Sequence, residues 1–406
     1  MLLKKSAVFI LSVTFFVGLS VSANKSLAEP VRILADTLFL KSLGIKPLTS
    51  DPELKLSMAE VTEYQANTIS HSAHKFGKCG GFERLQQDAD IQESFELMRH
   101  QEAQAKVFNY LGSPEVATGK NPQIEAATKL VSEASLKETV QWLSAYHTRS
   151  HAGPENNKHV EDLAEKARQL LANLKYPFQI DLIAHKETTQ KTLRVRLQGK
   201  DRPNEVVILG GHLDTLNGPI AKAKAPGADD NASGASNIFE ALRIVSIQEQ
   251  PSRSLEFFWY AGEESGLLGS SEIAQTYKQS KVDVVGVFQL DMTLFPGDGE
   301  LVFGDIADFT NPWLRNYLKS LNDYYVGAKW KETQCGYACS DHASWNRQGY
   351  AAVMPFESTL GTMNPNIHSN KDLITPALNF KHSAAFAKLA VAFALDYSNS
   401  SLRPSF

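Results

Sequence analysis

Five potential metal ligands and one further glutamate lie along this chain of 406 residues, mostly where apolar, strand-like runs end. Two histidines and three carboxylates form a nitrogen and oxygen ligand set suited to a pair of zinc ions. The sixth residue, also a carboxylate, is placed to act as a base. By itself this set predicts metal-assisted hydrolysis. The six residues are His212, Asp230, Glu263, Glu264, Asp291 and His368.

A histidine follows the apolar run VVILGG, and an aspartate lies two residues beyond it. Alternate side chains of an extended backbone point the same way, so the carboxylate of Asp214 can bond the far nitrogen of His212. That bond would fix the tautomer of a metal-binding imidazole. A histidine that stands alone after a strand is more often structural, but the pair favours a ligand with its orienting partner.

Three acids follow two other apolar runs. Glu263 and Glu264 come directly after FFWYAG, and Asp291 ends VVGVFQL. A pair of glutamates is ordinarily solvated at the surface, but at a buried strand end the two carboxylates can take different chemical roles. Because neighbouring side chains diverge, one carboxylate can hold a metal while the other takes a proton from water.

The remaining ligands lie in loops. GADDNASG precedes a predicted helix, so its polar residues can cap that helix. The two oxygens of one carboxylate can also bind different cations, which makes Asp230 the candidate bridge and Asp229 the alternative. His368 offers the second nitrogen ligand, and the Ser-Asn-Lys-Asp that follows it offers polar anchoring. Ser340, Asp341 and His342 suggest a hydrolase triad, but adjacent residues rarely reach triad geometry, so a structural role is favoured.

The elements that must position these residues alternate between helix and strand. Alternation of this kind predicts an α/β fold with a mostly parallel, mixed and twisted central sheet flanked by helices on both faces. Ligands collect beyond the carboxyl ends of such strands. The candidate strands are 192–197, 206–209, 255–260, 284–290 and 351–355, and the candidate helices are 127–147, 160–174, 233–248 and 311–322.

Three segments are expected along the chain. Residues 1–23 resemble a signal peptide, because Lys4 and Lys5 precede an apolar run, although a cut after Ala28 also fits. That run is shorter than the ~20 residues of a membrane-spanning helix. Residues 24–120 are interpreted as a small N-terminal pro-segment, with polar helices from 50 to about 111, and 121–400 as one large catalytic domain.

Charge and cysteines limit the partners and the compartment. The formal net charge is −4, and neither nucleic acid nor an anionic membrane is an expected partner. Cys335 and Cys339 in CGYAC can form a disulfide in an oxidising compartment or remain free thiols. Cys79 is left odd.

The strings GGHLDT, PGADDNASG, AGEESGLLGS, QLDMT and CGYACSDHASW occur in this order. With them the chain, from about residue 124 to 398, resembles the secreted bacterial leucyl aminopeptidases, exopeptidases with two co-catalytic zinc ions. The resemblance implies that Asp230 bridges two Zn²⁺ ions per chain, that Glu263 is the general base, and that Asp214 is the partner of His212. Glu264 and His368 would complete one metal site, and His212 and Asp291 the other.

The same resemblance implies a disulfide between Cys335 and Cys339, a position for Tyr337 near the reacting carbonyl, and a cis peptide between Asp230 and Asn231. It also implies a precursor, a zymogen with a leading segment. The expected substrates are peptides with a free, preferably apolar and Leu-like N-terminal residue. The expected form is a monomer exported to the medium or the periplasm, with no membrane partner after signal cleavage.

Three alternatives stay open. A two-metal carboxypeptidase or N-acyl amide hydrolase would use the same sheet and the same ligands. A glutaminyl cyclase would need only one zinc, but the presence of both His212 and Asp291 favours two metals. An inactive peptidase-like binding domain would have no need to keep a complete set of buried ionisable groups.

Overall fold

The structure, a computed structural model, describes residues 30–73, 76, 78, 80–87, 89–111 and 119–404. The predicted signal peptide and Cys79 lie outside these residues. We call 30–111 the N-terminal unit and 119–404 the main unit. None of the helices in the described ranges combines the length and apolarity that a membrane crossing requires.

The N-terminal unit is built on an antiparallel sheet of four strands in the order β2-β3-β1-β4. The prediction of polar helices over 50–111 was therefore wrong for β2, β3 and β4, which are strands. β3 and β4 are mostly buried and β2 has only three residues, so the alternation of apolar and polar residues that reveals a strand is missing. The elements are β1 Val31–Asp36, α1 Thr37–Ser42, β2 Thr49–Asp51, β3 Leu56–Val61, α2 Glu63–Ala73, β4 Glu83–Leu85 and α3 Ile91–Leu111.

The main unit contains a sheet of six strands in the order β12-β9-β7-β8-β6-β5. The first four strands pair in parallel, and β6 and β5 add antiparallel pairs at one edge, which confirms the predicted mixed sheet. A second sheet has the order β11-β10-β13. The strands are β5 Phe178–Ile183, β6 Thr192–Leu197, β7 Arg202–His212, β8 Arg253–Tyr260, β9 Asp283–Gln289, β10 Val302–Ile306, β11 Lys329–Thr333, β12 Ala352–Val353 and β13 Pro355–Phe356.

Helices cover both faces of the six-stranded sheet, as predicted. Val207 and Leu209 of β7 pack in the larger core, whereas Val206 and Ile208 pack in the core on the opposite face. The helix predicted over 127–147 is two helices, because Ser132 caps a second one. The helices are α4 Pro122–Thr128, α5 Glu133–Ser144, α6 Lys158–Leu171, α7 Ala232–Val245, α8 Leu268–Gln279, α9 Pro312–Tyr325, α10 His342–Arg347 and α11 Phe380–Asn399.

Candidate metal centre

The candidate ligands meet at the carboxyl ends of three neighbouring parallel strands. His212 is the last residue of β7, and it pairs with Tyr260 at the end of β8. A short 3₁₀ turn, Glu263–Ser265, follows β8, and Asp291 lies two residues beyond β9. Parallel neighbours end at the same edge of the sheet, so the backbone itself brings these side chains together.

Two buried clusters share one aspartate. The first consists of His212, Asp230 and Asp291, and the second of Asp230, Glu264 and His368. Nε2 of His212 lies 3.1 Å from Oδ1 of Asp230 and 3.2 Å from Oδ1 of Asp291. Nε2 of His368 lies 3.1 Å from Oδ2 of Asp230 and 2.8 Å from Oε2 of Glu264. Each oxygen of Asp230 therefore faces a different histidine, which is the arrangement of a bridging ligand.

The loop before α7 has the geometry that the resemblance implied. The Asp230–Asn231 peptide is cis. The side chain of Asn231 caps α7 by accepting from the Gly234 amide at 2.8 Å, and it donates to the carbonyl of Leu290 at 3.0 Å. Asn231 thus ties the loop that carries Asp230 to the chain just before Asp291.

Asp214 has a second partner that the sequence did not suggest. Nδ1 of His212 lies 3.2 Å from the Asp214 carbonyl oxygen and 3.6 Å from its Oδ1. The carboxylate also accepts the amides of Glu263 at 3.0 Å and Glu264 at 3.2 Å. One side chain therefore contacts both the histidine and the turn that carries the two glutamates.

The cluster is rich in buried negative charge. Both oxygens of Asp230 and of Glu264 are buried, and their ion-pair partners among the described residues are His212 and His368. Burial and the nearby Asp230 raise the pKa of Glu264 to about 7. Burial also raises the pKa of Glu263 well above its ordinary value, and repulsion from Glu264 and Asp291 adds to it.

The histidines respond in the opposite direction. Burial opposes their protonation, but the carboxylates Asp291 and Glu263 raise the pKa of His212 well above its ordinary value, and Glu264 and Asp230 do so for His368. A buried site in which carboxylates repel one another is one that a cation would stabilise. Imidazole nitrogens and carboxylate oxygens are donors that zinc accepts. The residues present therefore fit a pair of zinc ions.

Several supporting residues escaped the sequence analysis. Asp372 accepts the amides of Asp229 and Asp230, each at 3.0 Å, and only a general anchoring role had been expected of the segment after His368. Asp229 points away from both clusters and accepts from the Leu294 amide and the Asn364 side chain. It does not take the bridging position that was its alternative role.

A fully buried arginine lies behind the clusters. The guanidinium of Arg149 donates to the carbonyls of Leu143, Leu213, Pro226 and Gly227 at 2.7–2.9 Å. It therefore joins the end of β7 to the loop before Asp230. Arg149 lies in the turn-rich RSHAGPENN, where only long-range contacts distinguish it from a solvated charge.

Ser340, Asp341 and His342 do not form a triad. Ser340 Oγ donates to Oδ2 of Asp291 at 2.6 Å, and Asp341 accepts from the amide group of Gln289 at 2.9 Å. A triad would need the His342 ring to bond both other residues, but neither Ser340 nor Asp341 forms a hydrogen bond with it. Ser340 instead orients a candidate ligand.

A pocket with a mainly apolar lining lies beside Asp291. Cys335 and Cys339 form the predicted disulfide in its wall. Tyr337 is fully buried among the same apolar side chains that surround the pocket, although it does not line the pocket itself. The residues lining the pocket are Asp291, Ile306, Cys335, Cys339, Met354, Phe356 and Leu360.

Comparisons with known proteins agree with this geometry. The family described as Peptidase family M28 matches residues 192–394. A probable leucine aminopeptidase of Trichophyton verrucosum is 35% identical over 285 residues, which are 69% of this chain and 77% of that protein. The crystal structure of the Legionella pneumophila LapA aminopeptidase has a TM-score of 0.77 and 26% identity, and covers 91% of this chain and 99% of its own. An aminopeptidase from Aneurinibacillus sp. strain AM-1 shares the fold, with a TM-score of 0.52, 15% identity, and coverage of 70% of this chain and 97% of its own.

Proposed function

Because this chain belongs to peptidase family M28, we propose that it is a zinc-dependent aminopeptidase that removes an apolar, Leu-like N-terminal residue from peptides. The observation that carries the proposal is the pair of buried clusters that share Asp230 and lie next to a sixth acid, Glu263. A family resemblance alone could belong to an inactive relative. A complete set of buried ionisable ligands is costly to keep without a use.

In the proposed site Asp230 would be shared by two zinc ions, with His212 and Asp291 as the other ligands of one ion and Glu264 and His368 as those of the second. When bound, two zinc ions would polarise the scissile carbonyl and lower the pKa of a water molecule. Glu263 would take a proton from that water and return it to the leaving amine.

The apolar pocket supports the preference for a Leu-like residue. The side chains of Ile306, Met354, Phe356 and Leu360 in its lining would contact an aliphatic side chain favourably and would leave a charged one without partners. Tyr337 is proposed to lie near the reacting carbonyl. Restriction to the first residue of a peptide would follow if the free amino terminus binds among the carboxylates of the site.

Export and processing remain proposals. Lys4, Lys5 and the apolar run that follows them favour removal of residues 1–23 and secretion to the medium or the periplasm. The disulfide between Cys335 and Cys339 is compatible with an oxidising compartment. Processing of 24–120 as a zymogen pro-segment, a catalytic domain over 121–400 and a monomeric state stay predictions.

A screen of aminoacyl p-nitroanilides, with chelator treatment and zinc add-back, tests reaction, end preference and metal dependence together. We expect leucine p-nitroanilide to be hydrolysed, chelation to abolish turnover, and zinc to restore it with two ions per chain. Release of C-terminal residues or of acyl groups instead would identify a carboxypeptidase or an amide hydrolase. About one zinc per fully loaded chain would contradict the two-metal site and favour the cyclase alternative. If the protein hydrolyses none of these substrates, the alternative of an inactive binding domain would be favoured.

A further inference from the structure

The turn Glu263–Ser265 and the glycine after it are held from one side by the N-terminal unit. Ser70 Oγ on α2 donates to the Glu264 carbonyl at 2.6 Å. Arg84 on β4 donates through Nε to the Ser265 carbonyl at 3.2 Å and through its backbone amide to the Gly266 carbonyl at 3.1 Å. Three consecutive carbonyl oxygens of the turn thus receive hydrogen bonds from a different unit of the protein.

The main unit holds the opposite side of the same turn. The amides of Glu263 and Glu264 donate to the carboxylate of Asp214, and the Gly262 amide donates to Gln190 at 3.1 Å. The main unit therefore fixes the amides of Gly262, Glu263 and Glu264. The N-terminal unit bonds the carbonyls of Glu264, Ser265 and Gly266. A turn that is bonded on both sides holds the two glutamate side chains in one orientation.

The two units approach each other so closely at Gly266 that the position requires a glycine. Gly266 has φ +95°, and a Cβ there would lie 2.8 Å from both the Arg84 amide nitrogen and the Phe82 ring. The third residue after the base must therefore be small for the N-terminal unit to reach the turn. In the AGEESG string, Gly266 is therefore required by the contact with the N-terminal unit and not by metal binding.

Two further contacts fasten the N-terminal unit beside the site. Glu83 on β4 forms a buried ion pair with Arg347 on α10. Leu34 of β1, Met58 of β3 and Phe95 of α3 pack in the same apolar cluster as the pocket residues. The LapA structure covers a share of this chain larger than residues 119–404 contain, so its crystallised chain includes a counterpart of this unit.

We propose that the N-terminal unit stays docked in the active enzyme, with Ser70 and Arg84 as positioning residues for the turn that carries Glu263 and Glu264. The inference rests on the proposed function, because it assigns the turn to catalysis. It reverses the expectation for a pro-segment whose release activates the enzyme: weakening the contact lowers activity here, whereas weakening an inhibitory contact raises it.

The test uses the full chain with Ser70→Ala and Arg84→Met, singly and together, and leucine p-nitroanilide as the substrate. Thr68→Ala is the control for the first, because Thr68 lies on the same helix and bonds only within it. Glu63→Gln is the control for the second, because it removes the ion pair of Arg84 and leaves the turn bonds in place. We expect each single variant to lower kcat about 3- to 10-fold and the pair to lower it further.

The change should fall on kcat, with KM, zinc content and melting temperature close to those of the controls. A general loss of folding would lower the melting temperature and the zinc content as well. The single variants are included because each replaces only one side chain and is expected to fold. Activity that rises, or stays equal to the controls, would overturn the proposal. A wild-type enzyme that hydrolyses no aminoacyl anilide after zinc loading would instead sink the proposed function, so the two failures are distinct.

Discussion

Glu263 and Glu264 are neighbours with the same chemistry and opposite expected roles. Glu264 lies 2.8 Å from His368 within a candidate metal cluster, whereas neither cluster includes Glu263. Replacing Glu263 with Gln should keep zinc bound and lower kcat about 10²- to 10⁴-fold, because the amide cannot take the proton. Glu264→Gln should instead reduce the zinc content. Kinetics together with metal analysis of both variants checks the assignment, which fails if Glu263→Gln keeps near wild-type turnover.

Asp372 acts on the site through the backbone. Its carboxylate accepts two consecutive amides, those of Asp229 and Asp230, and it follows His368 by four residues. An asparagine would set an NH₂ group against one of those amides, so the loop with the bridging aspartate would move. We expect Asp372→Asn to weaken zinc affinity about 10- to 100-fold, measured by competition with a chelator.

Asp308 offers the matched control for Asp372. It also accepts two consecutive amides, those of Cys335 and Gly336, but beside the apolar pocket that is proposed to take the substrate side chain. Asp308→Asn should raise KM for leucine p-nitroanilide and leave zinc affinity unchanged. Equal zinc affinities in the two variants would remove the positioning role of Asp372.

At the scale of elements, the start of α7 lies against the chain that leaves β9. A Cβ on Gly234 would clash with the carbonyl oxygen of Leu290. Gly234→Ala should therefore push α7 away from β9, separate Asp230 from Asp291, and cost about 1 to 3 kcal/mol of unfolding free energy. Chemical denaturation and zinc content measure both effects. Gly361→Ala should be neutral, because no atom lies within 4 Å of the added Cβ.

Helices and strands were predictable where one apolar face, or one continuous apolar run, marks the element in the sequence. β6 was predicted at its observed bounds and β8 and β9 near theirs, because buried strands are continuous apolar runs, whereas only the centre of β7, 206–209, was predicted. β5 was missed, since at the sheet edge its residues are exposed or only partly buried. α11 was missed because nearly all of its residues are buried, and a helix that is apolar all round shows no amphipathic period.

The site divides in the same way. His212, Glu264 and Asp291 follow strands, so the topology of the sheet predicted their meeting. His368 depended on family resemblance, since it lies in a long loop. Asp372 and Arg149 act only through contacts between distant segments, and one sequence does not record such contacts. The strands of the N-terminal unit were misread because β2 and β4 have only three residues each and β3 is almost entirely buried.

At the scale of the whole molecule, buried neutral histidines should set the acid limit of stability. Burial lowers the pKa of His159 to about 3, and of His342 and His382 to about 4. His382 stays neutral because the Leu301 amide donates to Nδ1 at 3.2 Å while Nε2 faces the Glu357 carbonyl at 3.0 Å. Because the unfolded chain binds a proton near pH 6.5 and the folded chain does not, stability is complete above about pH 6.5 and falls toward pH 4.

His382→Gln should therefore reduce the loss of stability between pH 7.5 and 4.5. Each pKa unit is worth about 1.4 kcal/mol, so this histidine alone accounts for at most about 3 kcal/mol of that loss. Urea unfolding of chelator-treated protein at several pH values measures the slope without a contribution from zinc release. His147→Gln is the control, because His147 is exposed and its replacement should leave the slope unchanged. Equal slopes for His382→Gln and the wild type would show that this histidine does not set the acid limit, since a neutral side chain binds no proton in either state.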